Sequence, residues 1–151
     1  MNSRIAAICL GAVASAVLAA GCGTEEQNEY VDTVNEIQVR ATEAFNATAE
    51  ATAKEPKALL EELEANAAAL DDALAELQAV EVPEEAQEGH RELVAGFEQL
   101  SASFDSFAQQ LRSASTSEAF SAVTEFGGEA AEIGTRIDQA IDQINQDLGA
   151  E

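Results

Sequence analysis

Apolar residues recur every three or four positions along most of the chain, the spacing that places them on one face of an α-helix. The chain lacks the alternating β-branched runs and Asn-Gly turns that mark strands and hairpins. Four apolar stripes follow one another: Tyr30, Val34, Ile37, Ala41, Phe45 and Thr48; Leu59, Leu60, Leu63, Ala67, Leu70, Leu74 and Leu77; Ala86, His90, Leu93, Phe97, Leu100, Phe104, Phe107 and Leu111; Phe120, Val123, Phe126, Ala130, Ile133, Ile137, Ile141, Ile144 and Leu148. The pattern predicts four amphipathic helices of about 25 to 33 residues.

Residues typical of helix ends separate these stripes. Pro56 and Pro83 each suit a first helical position, where the missing N–H costs nothing, and residues 112–116 are predicted as the loop before the last helix. Gly127-Gly128 lies inside the fourth stripe without changing its register, which predicts a kink in the last helix rather than a break. Three pairs have the spacing of a capping box: Thr24 with Gln27, Thr52 with Glu55, and Ser115 with Glu118.

Four such helices with short connections predict an all-α fold, an antiparallel up-down-up-down four-helix bundle over residues 28–151. The length of 151 residues suits one domain. A second arrangement stays open, in which two long helical hairpins complete their core only as a homodimer.

The first 21 residues have the features of a removable export signal. Arg4 gives a positive start, and residues 5–20 carry no charge. That apolar run is at the short end for spanning a bilayer and is followed at once by small residues, as in a signal peptide. The alternative is an uncleaved N-terminal membrane helix.

The charge of the chain restricts its partners. The full chain has a net charge of −22, and removal of residues 1–21 takes away Arg4 and no acid, which leaves −23. General nucleic-acid binding needs clustered Lys and Arg, so this composition excludes nucleic acid as a partner. It also excludes attachment to anionic headgroups by charge. Attachment to a membrane therefore needs another tether.

The cysteines supply a candidate for that tether. Cys9 lies in the apolar run and leaves with it, so Cys22 is the single cysteine of the mature chain and no intramolecular disulfide is possible. The segment Leu18-Ala19-Ala20-Gly21-Cys22 resembles the lipobox of bacterial lipoproteins, in which small residues precede a cysteine that accepts a diacylglyceryl group. The usual pattern has Leu three residues before the cysteine; here Ala19 holds that place and Leu18 stands one further out.

This resemblance covers about the first 23 residues and implies a location rather than an activity. It implies a signal peptide over residues 1–21, lipid on Cys22, and attachment to the extracytoplasmic face of the cell membrane. Two or more acyl chains anchor a protein stably, whereas a single chain is marginal. If the first helix begins near Asn28, residues 22–27 hold the lipidated cysteine and a tether that reaches at most about 17 Å.

A second resemblance concerns the body of the chain. Val82-Pro83, followed by His90-Arg91-Glu92-Leu93-Val94, resembles uncharacterised small helical lipoproteins of high-GC Gram-positive bacteria. It implies a helical bundle at the cell surface and no known activity.

His90 is the one histidine of the chain and the candidate polar site, because it falls on the apolar stripe of the third helix. One interpretation is a metal ligand or a pH sensor. The other is a half-buried histidine at the end of the core, with its polar edge in water. A di-metal site of the bundle type needs two Glu-x-x-His pairs, and Gln87 stands three residues before His90, so that site is excluded.

The acidic clusters are candidate binding sites for calcium or magnesium, but we expect them to be solvent-exposed faces of helices. They lack the glycine-turned loop of spaced oxygens found in an EF-hand, and adjacent carboxylates on a helix point about 100° apart. The same account applies to Asp138 and Asp142, one turn apart. The clusters are Glu61-Glu62-Leu63-Glu64, Asp71-Asp72 and Glu84-Glu85.

Phe97, Phe104 and Phe107 suit a core at this spacing, with the lining of an apolar cavity as the alternative. Nothing in the sequence supports catalysis, because the histidine has no nucleophile partner and there is no Gly-x-Ser-x-Gly elbow. The sequence therefore predicts a non-catalytic binding or scaffolding protein without a cofactor, whose partners are the membrane and an unidentified envelope protein. The alternative is a carrier of a small ligand or a divalent cation, which a large apolar cavity would favour.

Overall fold

The computed structural model describes residues 24–51 and 56–149, and within these ranges the chain is helical with no strand. The all-α class is confirmed. The predicted signal peptide, Cys22 and the Thr52–Glu55 box lie outside the described residues, as do the side chains of Phe45 and Thr48. The helices are α1 (Glu25–Ala51), α2 (Pro56–Ala79), α3 (Gln87–Ser113) and α4 (Thr116–Asp147), with one turn of 3-10 helix, Glu84–Ala86, before α3.

The start of α4 is set by a capping box, as the sequence predicted. The backbone N–H of Glu118 donates to Ser115 Oγ at 3.4 Å, and the backbone N–H of Ser115 donates to Glu118 Oε2 at 2.8 Å. Because two otherwise unpaired N–H groups are satisfied there, the helix starts early. The predicted loop at residues 112–116 is therefore too long, and only Ala114 and Ser115 separate α3 from α4.

The start of α1 follows the same principle. The backbone N–H of Thr24 donates to Gln27 Oε1 at 2.9 Å, and that of Gln27 donates to Thr24 Oγ1 at 3.3 Å. The helix consequently begins at Glu25 rather than near Asn28. Pro56 is the first residue of α2, as expected, whereas Pro83 lies one residue before the 3-10 turn.

One hydrophobic core joins the four helices, and the third stripe is buried along its whole length. Phe104 and Phe126 meet edge to face with centroids 5.0 Å apart, and Phe107 stacks on Phe126 at 4.5 Å. The largest fully buried side chains come from every helix: Tyr30, Ile37, Leu63, Leu70, Leu77, Leu93, Phe104, Phe107, Ile133, Ile141 and Ile144.

The assignment of Phe120 to the core was wrong, since this side chain is 65% exposed. The buried face of α4 is centred on a line through Ala119, Ala130 and Ile137. Phe120 follows Ala119 by one residue and is therefore turned about 100° away from that line. Ala119 stands four residues before Val123 and Phe120 stands three before it, so both fit the spacing of a helical stripe. The sequence pattern therefore does not distinguish the buried residue from its exposed neighbour.

Close approach of α3 and α4 depends on two glycines that stand seven residues apart. A Cβ atom built on Gly89 would lie 2.7 Å from Ile144 Cγ1, and one built on Gly96 would lie 2.7 Å from Ile137 Cγ1. Both isoleucines therefore occupy the space that a side chain would need. By contrast, the Gly127-Gly128 pair lies inside α4 without breaking it, and Gly128 faces open space.

Candidate functional site

His90 joins three helices through its two ring nitrogens. Its Nδ1 lies 3.1 Å from the hydroxyl of Tyr30 on α1, and the ring also hydrogen-bonds to the backbone of Leu77 on α2. A neutral imidazole has one donor and one acceptor. The Leu77 carbonyl takes the donor, so Nδ1 accepts from the Tyr30 hydroxyl.

The surroundings of His90 favour its neutral form. The residue is 7% exposed, and burial lowers the pKa of His90, with the hydrogen bond to the Leu77 backbone acting in the opposite direction. Burial also raises the pKa of Tyr30, which keeps the hydroxyl protonated and able to donate. The expected half-buried histidine with one edge in water is instead a buried ring with both nitrogens engaged by protein atoms.

This arrangement makes stability depend on pH through His90. Because the pKa of the folded state is lowered from about 6.5, the folded protein resists protonation and the unfolded chain does not. The contribution of neutral His90 to the free energy of unfolding is therefore present above about pH 6.5 and is lost as the pH falls below that value. We expect the melting temperature of the wild type, relative to that of His90→Gln, to fall between pH 7.5 and pH 5.

The variant shares all the carboxylates, so their titration cancels in the comparison. The measurement is circular dichroism melting of the full chain and of His90→Gln at matched ionic strength. Parallel curves for the two proteins across this range would contradict the lowered pKa.

A small apolar cavity lies where α1, α3 and α4 meet. Its volume is about 40 Å³, and it is partly open to solvent. Its walls are mainly apolar, and its residues are Gln38, Ala41 and Thr42 of α1, Phe97 and Leu100 of α3, and Ala130, Gly134, Ile137, Asp138 and Ile141 of α4. Phe97 is thus both a core residue and a wall of the cavity, whereas Phe104 and Phe107 are buried in the core.

Gln38 is the unusual residue of this cavity. The side chain is 8% exposed, and its amide nitrogen is buried without a hydrogen-bond partner. A buried donor that stays unpaired costs about 1–3 kcal/mol. The hydroxyl of Ser103 is also buried without a partner, but Ser103 borders a shallow depression whose lining is half polar.

The acidic clusters lie mostly on the surface. Glu64 pairs with Arg112 at 2.9 Å, and Asp71 accepts from the Ser101 hydroxyl at 2.6 Å. Asp138 is half-buried beside the cavity, whereas Asp142 is exposed. Across residues 24–51 and 56–149, no three His, Cys, Asp or Glu side chains are grouped so as to hold a metal ion.

Sequence reasoning found His90 but missed Tyr30 and Gln38 as polar partners in the interior. Tyr30 was assigned to the core for its ring, and its hydroxyl then became the partner of Nδ1. The available signal was position: Tyr30 and His90 both stand near the start of their helices. Gln38 follows Ile37 on the edge of the first stripe, and the sequence carries no signal that distinguishes it from a surface glutamine.

No protein-family model, curated protein or solved structure matches this chain. Among the described residues, none of the helices has both the length and the apolar character needed to cross a membrane.

Proposed function

We propose that this protein is a lipid-anchored helical domain on the extracytoplasmic face of the cell membrane, with a non-catalytic binding role. The location rests on the lipobox-like segment ending at Cys22. The binding role rests on one observation, the buried and unpartnered amide of Gln38 at an apolar cavity.

The start of α1 supports close attachment. Only Gly23 and Thr24 separate Cys22 from Glu25, where α1 begins. Three steps of extended chain reach at most about 10 Å. A domain anchored through Cys22 therefore stands directly on the membrane surface, with the first turn of α1 beside the lipid.

The same proposal includes an antiparallel up-down-up-down arrangement. Three side-chain pairs join α2 to α3 in opposite chain order: Gln78 with Glu98, Asp71 with Ser101, and Glu64 with Arg112. Contacts between α3 and α4 run the same way: Gly89 with Ile144, Gly96 with Ile137, and Phe107 with Phe126. Each series has the order expected of antiparallel neighbours.

A carrier of a small ligand is the second candidate, and it would use the apolar cavity between α1, α3 and α4. The cavity is small, so it supports binding of a compact group rather than storage of a large molecule. A divalent-cation carrier has no comparable support among the described residues. The proposed partners are an envelope protein and a second copy of this chain.

Replacement of Cys22 tests the anchor. We expect Cys22→Ser to move the protein from the membrane fraction to the non-membrane fraction, because the hydroxyl does not accept the diacylglyceryl group that holds the chain in the bilayer. Cys9→Ser is the matched control and should leave the distribution unchanged. Fractionation with immunoblotting, together with the intact mass of the wild type, provides the measurement. An unmodified cysteine in the mature protein contradicts the proposal.

A further inference from the structure

We infer that α1 and α2 detach together from α3 and α4 while the rest of the protein stays folded, and that His90 makes this detachment more frequent as the pH falls. Three features of the structure support this: the uneven packing of the four helices, the position of His90 between the two helix pairs, and the hydrogen bonds of its ring. Lipid at Cys22 plays no part in it.

The four helices pack as two pairs. Extensive packing joins α1 to α2 and, above all, α3 to α4, whereas among the described residues α1 makes no comparable approach to α3 or α4. The 3-10 turn Glu84–Ala86 also packs on α3 and α4. The α1/α2 pair and the α3/α4 pair therefore meet chiefly where α2 lies against α3, and residues 80–83 connect them.

The α3/α4 pair has contacts of its own that do not need α1 or α2. Phe104 and Phe107 of α3 meet Phe126 of α4, and Ile137 and Ile144 of α4 occupy the space beside two glycines of α3. Packed units within one protein open with different free energies, and the residues of one unit open together. Because these contacts stay intact when the α1/α2 pair leaves, we expect the α3/α4 pair to remain helical.

His90 belongs to the α3/α4 pair, but both of its hydrogen-bond partners belong to the α1/α2 pair. Its Nδ1 lies 3.1 Å from the Tyr30 hydroxyl on α1, and the two rings meet edge to face with centroids 5.8 Å apart. The ring also hydrogen-bonds to the Leu77 backbone on α2. Detachment of the α1/α2 pair breaks both hydrogen bonds at once and brings a buried ring into water.

Protonation of His90 favours the detached state. A buried imidazolium is poorly solvated, and its Nδ1 becomes a donor that no longer accepts from the Tyr30 hydroxyl. In the detached state the ring is in water and titrates near its ordinary pKa of about 6.5. Each pH unit below about 6.5 therefore raises the population of the detached state by up to about tenfold.

The other titratable groups around His90 do not produce this dependence. Tyr30 stays protonated, because burial raises its pKa. The charged side chains at this end of the helices are exposed, apart from the half-buried Asp147, so detachment changes their surroundings little. They are Glu26 and Glu29 on α1, Glu76 on α2, Glu81, Glu84 and Glu85 between α2 and α3, Glu88 and Arg91 on α3, and Asp142 and Asp147 on α4.

Hydrogen exchange measures detachment helix by helix. The full chain is isolated from the cell fraction that contains it and is held in lipid nanodiscs when that fraction is the membrane. It is labelled in deuterated buffer at pH 7.5 and pH 5.0, and each exchange rate of its peptides is divided by the intrinsic rate at that pH. We expect the amides of α1 and α2 to lose protection by up to about 30-fold at pH 5.0, relative to those of α3 and α4.

His90→Gln keeps a donor and an acceptor in the side chain but does not titrate, and it shares every carboxylate with the wild type. We expect the protection of α1 and α2 in this variant to follow that of α3 and α4 at both pH values.

Tyr30→Phe keeps the aromatic ring and removes the hydroxyl, so His90 Nδ1 loses its partner. We expect α1 and α2 to detach about five-fold more often, or more, at pH 7.5, the effect of leaving one buried acceptor unpaired. The dependence on pH should remain, because His90 still titrates in this variant.

Equal loss of protection in all four helices of the wild type would show that acid unfolds the whole protein, which overturns the detachment of one pair. The same dependence on pH in the wild type and in His90→Gln overturns the role of His90. Unchanged protection in Tyr30→Phe at pH 7.5 overturns the hydrogen bond as a link between the two pairs. These outcomes do not involve Cys22, so they are distinguishable from failure of the membrane anchor.

Discussion

Replacement of Phe104 by Ala is expected to lower the free energy of unfolding by about 3–5 kcal/mol, the range for truncation of a fully buried phenylalanine. Phe104 is 1% exposed and meets Phe126 edge to face, so its loss removes a ring contact as well as apolar burial. A domain of this size has about 5–15 kcal/mol of stability in total. The loss is therefore a large fraction of the total stability, and it brings a protein at the low end of that range close to unfolding at room temperature.

Phe120→Ala is the matched control, because it makes the same chemical change on a side chain that is 65% exposed. We expect an effect within about 0.5 kcal/mol, as for surface substitutions in general. The measurement is urea unfolding of the full-length variants followed by far-UV circular dichroism. Similar losses in both variants would show that the core of α3 and α4 is not arranged as described.

Gly89→Ala is expected to destabilise the protein by about 1–3 kcal/mol, although alanine is the better helix former. The added Cβ would lie 2.7 Å from Ile144 Cγ1, 3.1 Å from the Ile144 backbone nitrogen and 3.2 Å from the Ala140 carbonyl oxygen. Two of these three atoms belong to the backbone of α4, so a rotamer change does not relieve the contact. The two helices would have to separate.

Gly128→Ala should change stability in the opposite direction. No atom lies within 4 Å of a Cβ built at Gly128, which is an exposed position inside α4. Alanine there reduces the conformational entropy of the unfolded chain and should stabilise the protein by about 0.5–1 kcal/mol. Thermal and urea unfolding of the two variants measure the contrast. Stabilisation by both substitutions would contradict the close approach of α3 to α4.

The sequence predicted those parts of the fold that depend on local chemistry. The spacing of the third stripe predicted a face that is buried from Ala86 to Leu111. The Ser115–Glu118 pair predicted a capping box, and both of its hydrogen bonds are present. These features involve residues within a few positions of one another, so the order of the residues is enough to identify them.

Features that join distant residues were not predictable in the same way. Tyr30 and His90 are 60 positions apart, and their hydrogen bond depends on how three helices sit together. The role of Gly89 depends on the isoleucine that faces it, and the burial of the Gln38 side chain depends on how α1 packs against the other helices. An apolar stripe predicts that one face of a helix is buried, but it does not predict which residues of the other helices contact that face.

The order in which the helices pack also bears on how quickly the chain folds. Extensive packing joins α1 to α2, α2 to α3 and α3 to α4, so each helix finds its main partner in its neighbour along the chain. Because these contacts form without the closure of long chain segments, the entropic barrier to folding is low. Helical domains with such local topology fold in microseconds to milliseconds. Each helix can therefore pack against its neighbour in the chain as soon as both have formed.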